Sequence, residues 1–331
     1  PTQPDLRWII DHQAELPSSP SSWIETWTGD QLPGEVLSYS SASSGNYQQL
    51  PCLIVRSVTP TRPPDLEPGA IVRILLPFVR RLVWQDDGHR DRAGTVRTRD
   101  GRRLAGRAIR WNADSVTLLT NDGREILEFR ELAELNLPDQ TPWPLLLREL
   151  AGVAPGCAEQ LIQFETSSGV VVTTSWQRQR VARPQDRTKA ANWMHAVQPG
   201  WSLDVLWLAG NEVPVRRFFH PHQLPLSRLR PVSELQQSPL AGNGRPWQLN
   251  RNADGQWLRC GEGSFGWGFG VHASNELCFS LPGLATAVEG FVGIDSVAGM
   301  GGCIHATVLL RSGDRQQQLF QTPIVVGSQQ A

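Results

Sequence analysis

The densest pattern of residues able to do chemistry lies at 261–276, where glycines alternate with aromatic side chains and a histidine follows. Residues 261–266, "GEGSFG", match G-x-G-x-x-G, the glycine pattern of dinucleotide-binding loops. Such a loop needs a preceding strand and a helix that opens at the third glycine. Here Trp267, Gly268 and Phe269 follow, and this run cannot open a helix. We therefore expect no nucleotide site.

Catalytic motifs are absent from the sequence. It contains no nucleophile elbow, no H-E-x-x-H pair and no phosphate-binding P-loop. Glycoside hydrolysis needs two carboxylates that face each other across a cleft, and scattered acidic residues do not establish such a pair. The sequence therefore predicts a protein that is not an enzyme.

Several polar and aromatic residues in this region form a candidate binding surface. Four polar residues lie at turns: His272, Asn275, Glu276 and Asp295. Trp257 and Trp267 supply flat apolar rings, and the chain's 13 tryptophans suit a protein that stacks on sugars. One hypothesis makes all six sugar-binding residues. In the alternative, which we favour for His272 and Asp295, these two side chains hydrogen-bond turn backbones and stabilise the fold.

The elements that position these residues are predicted to be strands. Apolar residues recur with period two in "SLDVLWL" (202–208), "AVEGFVGI" (287–294) and "CIHATVLL" (303–310), with Gly, Pro, Asn and Asp between such runs. The best helix candidate is "TPWPLLLRELAG" (141–152), since Thr141 is a good cap and Gly152 a good stop. These patterns predict a mostly-β protein.

An internal repeat precedes the glycine-rich region. "TGDQLPGEVLSYS" (28–40) and "TRDGRRLAGRAIRW" (98–111) both run through a Gly/Asp turn into a strand, and "FETSSGVVVTTSW" (164–176) is a weaker third copy. The pattern of turns resembles that of small Sm-like β-barrels across residues 22–232. We predict that Gly34 and Gly106 occupy equivalent strand bends where a Cβ atom would clash.

These patterns predict five segments. They are an N-terminal extension at 1–21, small β-barrel repeats at 22–140, a further barrel-like domain with a short helix at 141–235, a Gly- and Pro-rich linker at 236–246, and a β-sandwich at 247–331.

The last segment carries a more specific resemblance. A Gly268-x-Gly270-x-His272-Ala273 turn leads into an apolar strand, a Pro-Gly turn, "VGID" (292–295), a glycine-rich loop (299–302) and another strand. This order resembles the NPCBM family of carbohydrate-binding modules. The resemblance implies a noncatalytic jelly-roll β-sandwich, galactose-type sugars as ligands, a bound structural calcium and an extracellular setting.

The family pattern continues with further strands, so the sandwich is expected to be C-terminally truncated in this sequence. The resemblance also implies an extracytoplasmic protein, although no signal peptide is visible.

Charge and hydropathy limit the classes of partner that the protein could bind. The net charge is −1, and Asp86, Asp87, Asp91 and Asp100 interrupt the arginine-rich stretch, which argues against a nucleic-acid footprint. No run of about 18 apolar residues appears, so no membrane span is expected. The predicted partner is a glycan. The alternative is a structural or scaffold subunit that contacts other subunits of an extracytoplasmic assembly through the sandwich.

Five cysteines are widely spaced, which argues against a zinc knuckle. Cys278 and Cys303 lie on the non-core faces of their predicted strands. We expect these two to form a disulfide, or Cys260 to pair with one of them.

Overall fold

The structure is a computed structural model that describes residues 6–17, 19–41, 50–59, 70–87, 91–151, 161–182, 193–220, 222–236, 246–272 and 274–328. These residues are mostly β, as the sequence predicts. The α-helix, Trp143–Ala151, lies within the predicted 141–152. No helix in the described ranges is long and apolar enough to span a bilayer. The chain divides into two compact units, residues 1–224 and 225–331.

The first unit contains eighteen described strands. They are β1 (Trp8–Ile10), β2 (Trp23–Thr26), β3 (Gln31–Ser40), β4 (Cys52–Ser57), β5 (Ala70–Leu75), β6 (Val79–Val83), β7 (Thr95–Thr98), β8 (Arg103–Ala105), β9 (Ala108–Trp111), β10 (Ser115–Leu119), β11 (Arg124–Glu128), β12 (Leu132–Asn136), β13 (Leu161–Glu165), β14 (Val171–Ser175), β15 (Gln179–Ala182), β16 (Met194–Val197), β17 (Leu206–Ala209) and β18 (Val215–Phe219).

All of these strands except β1 form three repeats of one antiparallel pattern: repeat 1 is β2–β6, repeat 2 is β7–β12 and repeat 3 is β13–β18. In each, the first strand pairs with both the second and the last strand. The second strand is β3 in repeat 1, which has a register shift between Val36 and Ser38. In repeat 2 this strand is divided into β8 and β9, and in repeat 3 the 3-10 turn Trp176–Arg178 separates β14 from β15. A 3-10 turn precedes the last strand: Leu76–Phe78, Phe129–Glu131 or Gly210–Glu212.

A shared turn joins the first two strands of every repeat. A threonine N–H donates to the carbonyl oxygen four residues later: Thr26 to Asp30 (2.9 Å), Thr98 to Arg102 (3.0 Å) and Thr166 to Val170 (2.9 Å). The residue before each acceptor is a glycine with left-handed φ: Gly29 (83°), Gly101 (88°) and Gly169 (85°). The repeat predicted from the sequence, including its third copy, is present at these turns.

Gly34 and Gly106 follow their turn glycines by the same five residues (34 − 29 and 106 − 101), so their positions are equivalent. A Cβ on Gly34 would lie 2.7 Å from the carbonyl oxygen of Arg56. On Gly106 the nearest atom would be Leu118 Cδ2 at 3.6 Å, an ordinary contact. The predicted clash is therefore right at Gly34 and wrong at Gly106, because the neighbouring strand's backbone approaches only the first bend.

A buried carboxylate joins repeats 1 and 3. Asp30, in the first turn, has no solvent exposure. It accepts hydrogen bonds from the N–H (2.8 Å) and Oγ1 hydroxyl (2.6 Å) of Thr173, and from Trp201 Nε1 (2.7 Å). Thr173 and Trp201 belong to repeat 3, so the first turn of repeat 1 is stabilised by residues far along the chain.

A second buried carboxylate joins repeats 1 and 2, where β12 lies between β6 and β7. Glu134 of β12 accepts from Arg81 Nε (2.6 Å), Asn136 Nδ2 (2.6 Å) and Arg97 Nη2 (3.0 Å). Burial by itself raises the pKa of Glu134. The hydrogen bond and charge of Arg81, together with the hydrogen bonds of Asn136 and Arg97, outweigh it and place that pKa below the ordinary value.

The second unit contains ten described strands. They are β19 (Ser233–Gln236), β20 (Gln248–Leu249), β21 (Leu258–Cys260), β22 (Gly263–Phe265), β23 (Phe269–Gly270), β24 (Asn275–Cys278), β25 (Cys303–Ile304), β26 (Thr307–Ser312), β27 (Arg315–Gln321) and β28 (Val325–Val326).

The strands of the second unit form five antiparallel pairs: β19–β24, β20–β23, β21–β22, β25–β28 and β26–β27. Trp247, Leu229 and Ile294 are its buried large apolar residues. Many other large apolar side chains are exposed, among them Leu284, Phe291, Val297, Met300 and Ile324. Among the described residues, most of the surface of these side chains is therefore open to solvent.

The two bend glycines give a matched test of the repeat. We predict that Gly34→Ala destabilises the first unit by about 1–3 kcal/mol, because the new Cβ overlaps a backbone carbonyl. Gly106→Ala should change stability by less than about 0.5 kcal/mol, since it creates no short contact. Urea unfolding followed by circular dichroism measures both. Equal effects of the two substitutions would contradict the placement.

Glu134 makes the first unit sensitive to acid. Its pKa is lowered in the folded state, so its stabilising contribution is present above the ordinary pKa of 4.5 and is lost as pH falls through the folded-state value. Glu134→Gln should cost about 3 kcal/mol at neutral pH, because it removes a charged hydrogen-bond partner that is shared by the buried guanidinium groups of Arg81 and Arg97. The difference from wild type should shrink below about pH 4.

Urea titrations at several pH values test this expectation. The control is Glu35→Gln, since Glu35 is exposed and forms a long ion pair with Arg56 (3.6 Å). A constant gap between wild type and Glu134→Gln down to the lowest pH would refute the ionic role.

Candidate functional site

The glycine-rich stretch owes its composition to close backbone packing. Gly268 has φ 151°, and its N–H donates to Asn250 Oδ1 (3.2 Å) while its carbonyl accepts from Asn250 N (2.9 Å). A Cβ on Gly270 would lie 2.2 Å from the carbonyl carbon of Asn252. These two glycines therefore let β23 lie directly against the loop around Asn252.

The G-x-G-x-x-G match at 261–266 is a β-hairpin. Gly261 and Glu262 form the turn between β21 and β22, and the segment to β23 contains no helix. A phosphate cradle of the dinucleotide-binding type requires a helix N-terminus, whereas this segment is a strand–turn–strand unit.

The two candidate tryptophans lie on either side of this hairpin and are both half-buried. Trp257 directly precedes β21, and the guanidinium carbon of Arg251 lies 4.1 Å from its ring centroid. This cation–π contact covers part of the ring and fixes its orientation. Arg251 is not among the predicted site residues, because its spacing of six residues from Trp257 (257 − 251) matches no known pattern of binding residues.

The polar candidates on β24 and before it differ in their environments. His272 is exposed. Asn275 is half-buried, and its Nδ2 is a buried donor without an acceptor among the described residues. The exposed Glu276 accepts a hydrogen bond from Arg311 Nη2 of β26 (2.8 Å). Arg311 was not among the predicted site residues, because only the tertiary structure brings β26 to β24.

Asp295 has a different role from the other candidates. Its Oδ1 accepts from Val297 N (3.0 Å) and caps the 3-10 turn Ser296–Ala298. Its Oδ2 accepts from Arg259 N of β21 (3.4 Å). These contacts agree with the structural interpretation of Asp295, in which the carboxylate holds two backbone segments together.

The cysteines of this unit are free thiols in the structure, so the expected Cys278–Cys303 bridge is not formed, nor is one to Cys260. Cys278 Sγ donates to Glu276 Oε1 (3.4 Å), and Cys260 Sγ donates to the carbonyl oxygen of Ser328 (3.8 Å). Burial raises the pKa of the Cys260 thiol, and the charge of Asp295 raises it further. Cys303 is exposed in β25.

The calcium ion that the family resemblance implies stays a prediction for this chain. No group of three or more His, Cys, Asp or Glu side chains among them could hold a metal ion. Both oxygens of Asp295, the best-placed carboxylate in the motif, already accept backbone hydrogen bonds.

Residues 223–331 match the family model of the NPCBM/NEW2 domain. The match coincides with the second unit, residues 225–331, and confirms the resemblance seen in its glycine-rich turn. No curated protein and no solved structure shows significant similarity to the chain.

Proposed function

We propose that this chain is a noncatalytic carbohydrate-binding protein in which the second unit binds an extracellular or cell-surface glycan and the three repeats act as a scaffold. The observation that carries the proposal is the match of residues 223–331 to the NPCBM/NEW2 domain. The absence of catalytic motifs from the sequence supports a binding role over an enzymatic one.

The chemistry of the second unit's surface is suited to a sugar. Half-buried Trp257 and Trp267 offer apolar ring surface to the C–H face of a pyranose. Arg251 already orders the Trp257 ring, which lowers the entropy cost of binding there. The exposed Glu276–Arg311 pair offers a charged acceptor and charged donors to hydroxyl groups, and His272 adds an imidazole. Asn275 Nδ2 is a further donor in need of an acceptor.

The finer architecture that we propose is a series of tandem Sm-like barrels followed by a jelly-roll sandwich. The strand pairing of the repeats supports the Sm-like barrels. In each repeat the first strand pairs with the second and the last strand, and a 3-10 turn precedes the last strand. The family match supports the jelly-roll sandwich. We also propose an extracytoplasmic location on the basis of the same match, because the extracellular or cell-surface glycans that the second unit would bind lie outside the cytoplasm.

The second candidate function is a structural or scaffold subunit of an extracytoplasmic assembly. One observation favours it: large apolar side chains of the second unit are exposed, including Phe291 at 69% and Leu284 at 75%. Exposed apolar surface of this kind often marks a protein–protein contact. In this function the second unit would contact another subunit in place of a glycan.

A glycan array followed by calorimetry on the full chain separates these functions. We expect binding to one class of glycan, with galactose-type sugars as the first to test. Trp267→Ala should weaken that binding about tenfold, because it removes stacking worth roughly 1.4 kcal/mol.

The matched control is Trp176→Ala, since Trp176 is 59% exposed but lies in the first unit. It should leave glycan affinity unchanged. Failure to bind any glycan at millimolar concentration, or equal losses from both substitutions, would refute the carbohydrate-binding proposal.

A further inference from the structure

The outer edge of β11 in repeat 2 is unpaired. Among the described residues β11 pairs only with β10. Phe129 N donates to Asp114 O (3.0 Å) and Thr120 N donates to Gly123 O (2.8 Å), one pair at each end of this hairpin. The hydrogen-bonded pairs between them are therefore Val116 with Leu127 and Leu118 with Glu125. Because bonded and non-bonded pairs alternate in an antiparallel ladder, the N–H and C=O groups of Arg124, Ile126 and Glu128 point away from β10.

Repeat 1 shows that this edge of the pattern can accept an added strand. The equivalent strand is β5, in which Arg73 precedes its 3-10 turn by the same three residues as Ile126 (76 − 73 and 129 − 126). The Arg73 carbonyl accepts from Leu203 N (3.0 Å), and Leu75 N donates to Trp201 O (2.8 Å). In repeat 1 the chain therefore covers with its own backbone the edge that is open in repeat 2.

The side chains along the open edge are self-complementary. Arg124, Ile126 and Glu128 are all exposed, Ile126 by 62%. If two copies of β11 pair antiparallel with Ile126 opposite Ile126, each Arg124 lies opposite a Glu128 of the second copy. Opposite charges at facing positions stabilise an antiparallel pair, and like charges there destabilise it. The neighbouring Leu119 of β10, 51% exposed, extends the apolar centre beside Ile126.

We propose that the chain forms a weak, symmetric homodimer through the outer edges of two β11 strands. Ile126 N–H of each copy donates to the Ile126 carbonyl of the other, and Arg124 N–H donates to the opposite Glu128 carbonyl. Glu128 N–H takes no part, because it already donates to the Glu131 carboxylate (2.7 Å). The contact is therefore short, and its small area predicts association in the micromolar range or weaker.

Two other features of the chain offer different routes to association. β17 also lacks a second neighbouring strand in the part of the chain that the structure describes, but Trp207 and Ala209 give it no charge pair to fix a register. The exposed apolar residues of the second unit are a further candidate. Charge changes on β11 affect neither, so they distinguish the proposed contact from both.

Sedimentation velocity of the full chain, from about 1 µM to about 1 mM, tests the proposal over the range that a small interface requires. We expect a concentration-dependent dimer. Arg124→Glu places Glu opposite Glu, and Glu128→Arg places Arg opposite Arg, so each should raise the dissociation constant at least about tenfold. An equimolar mixture of the two variants should associate again, because both facing positions then carry opposite charges.

The control is Arg107→Glu, since Arg107 is exposed in the same repeat but precedes β9 on the far side of the three-stranded sheet. It should dimerise like the wild type. Thermal unfolding should show that every variant is folded. Glu128→Arg also loses a capping contact of the 3-10 turn, which lowers its stability but does not change the charges that face each other in the mixed dimer. A wild type that stays monomeric at all concentrations, variants that associate unchanged, or a mixture that does not recover would overturn the proposal.

Discussion

The buried carboxylate of Asp30 is the interaction on which the first unit depends. A charged group without solvent costs several kcal/mol unless hydrogen bonds compensate it. Three donors do so, and all three belong to Thr173 and Trp201 in repeat 3. The first turn of repeat 1 is therefore stable only when repeat 3 is folded against it. Glu134 of repeat 2 forms the corresponding contact with repeat 1 through Arg81.

These carboxylates lie beside strand edges of the first unit that the chain covers with its own backbone. Trp201, held by Asp30, begins the segment that pairs with the edge of β5. β6 and β12 cover each other across the Glu134 contacts, and β1 covers β18. The edge of β11 takes part in no such contact among the described residues, and it combines unused backbone groups with a self-complementary pattern of side chains.

Local features of the fold could be predicted from the sequence. Period-two patterns predicted the mostly-β class, and Gly/Asp turns followed by strands predicted the repeat, because both depend on residues close together in the chain. The positions of Gly268 and Gly270 in tight backbone approaches follow from glycine's lack of a Cβ atom. Even so, Gly106 shows that an equivalent sequence position need not carry the same steric constraint.

Contacts between distant segments could not be predicted, because periodicity shows which face of a strand is apolar but not which strand lies beside it. Asp30 and Trp201 are 171 residues apart, and Glu276 and Arg311 are 35 apart. Because the neighbouring strands were unknown, Arg251 and Arg311 were not predicted as site residues. For the same reason Cys278 and Cys303 were expected to form a disulfide that the structure does not contain. Of the predicted sugar-binding residues, Asp295 is tied to backbone groups, while His272 and Glu276 are exposed.

We expect the buried carboxylates of Asp30 and Glu134 to make the three repeats of the first unit one cooperative body. Native-state hydrogen exchange on the full chain, comparing wild type with Asp30→Asn, tests this claim most directly. If the repeats unfold together, the slowest amides of β2, β10 and β14 should lose protection by the same factor, because one opening event exposes them all. Loss of protection confined to the turn at Thr26–Asp30, with β10 and β14 unchanged, would contradict the claim.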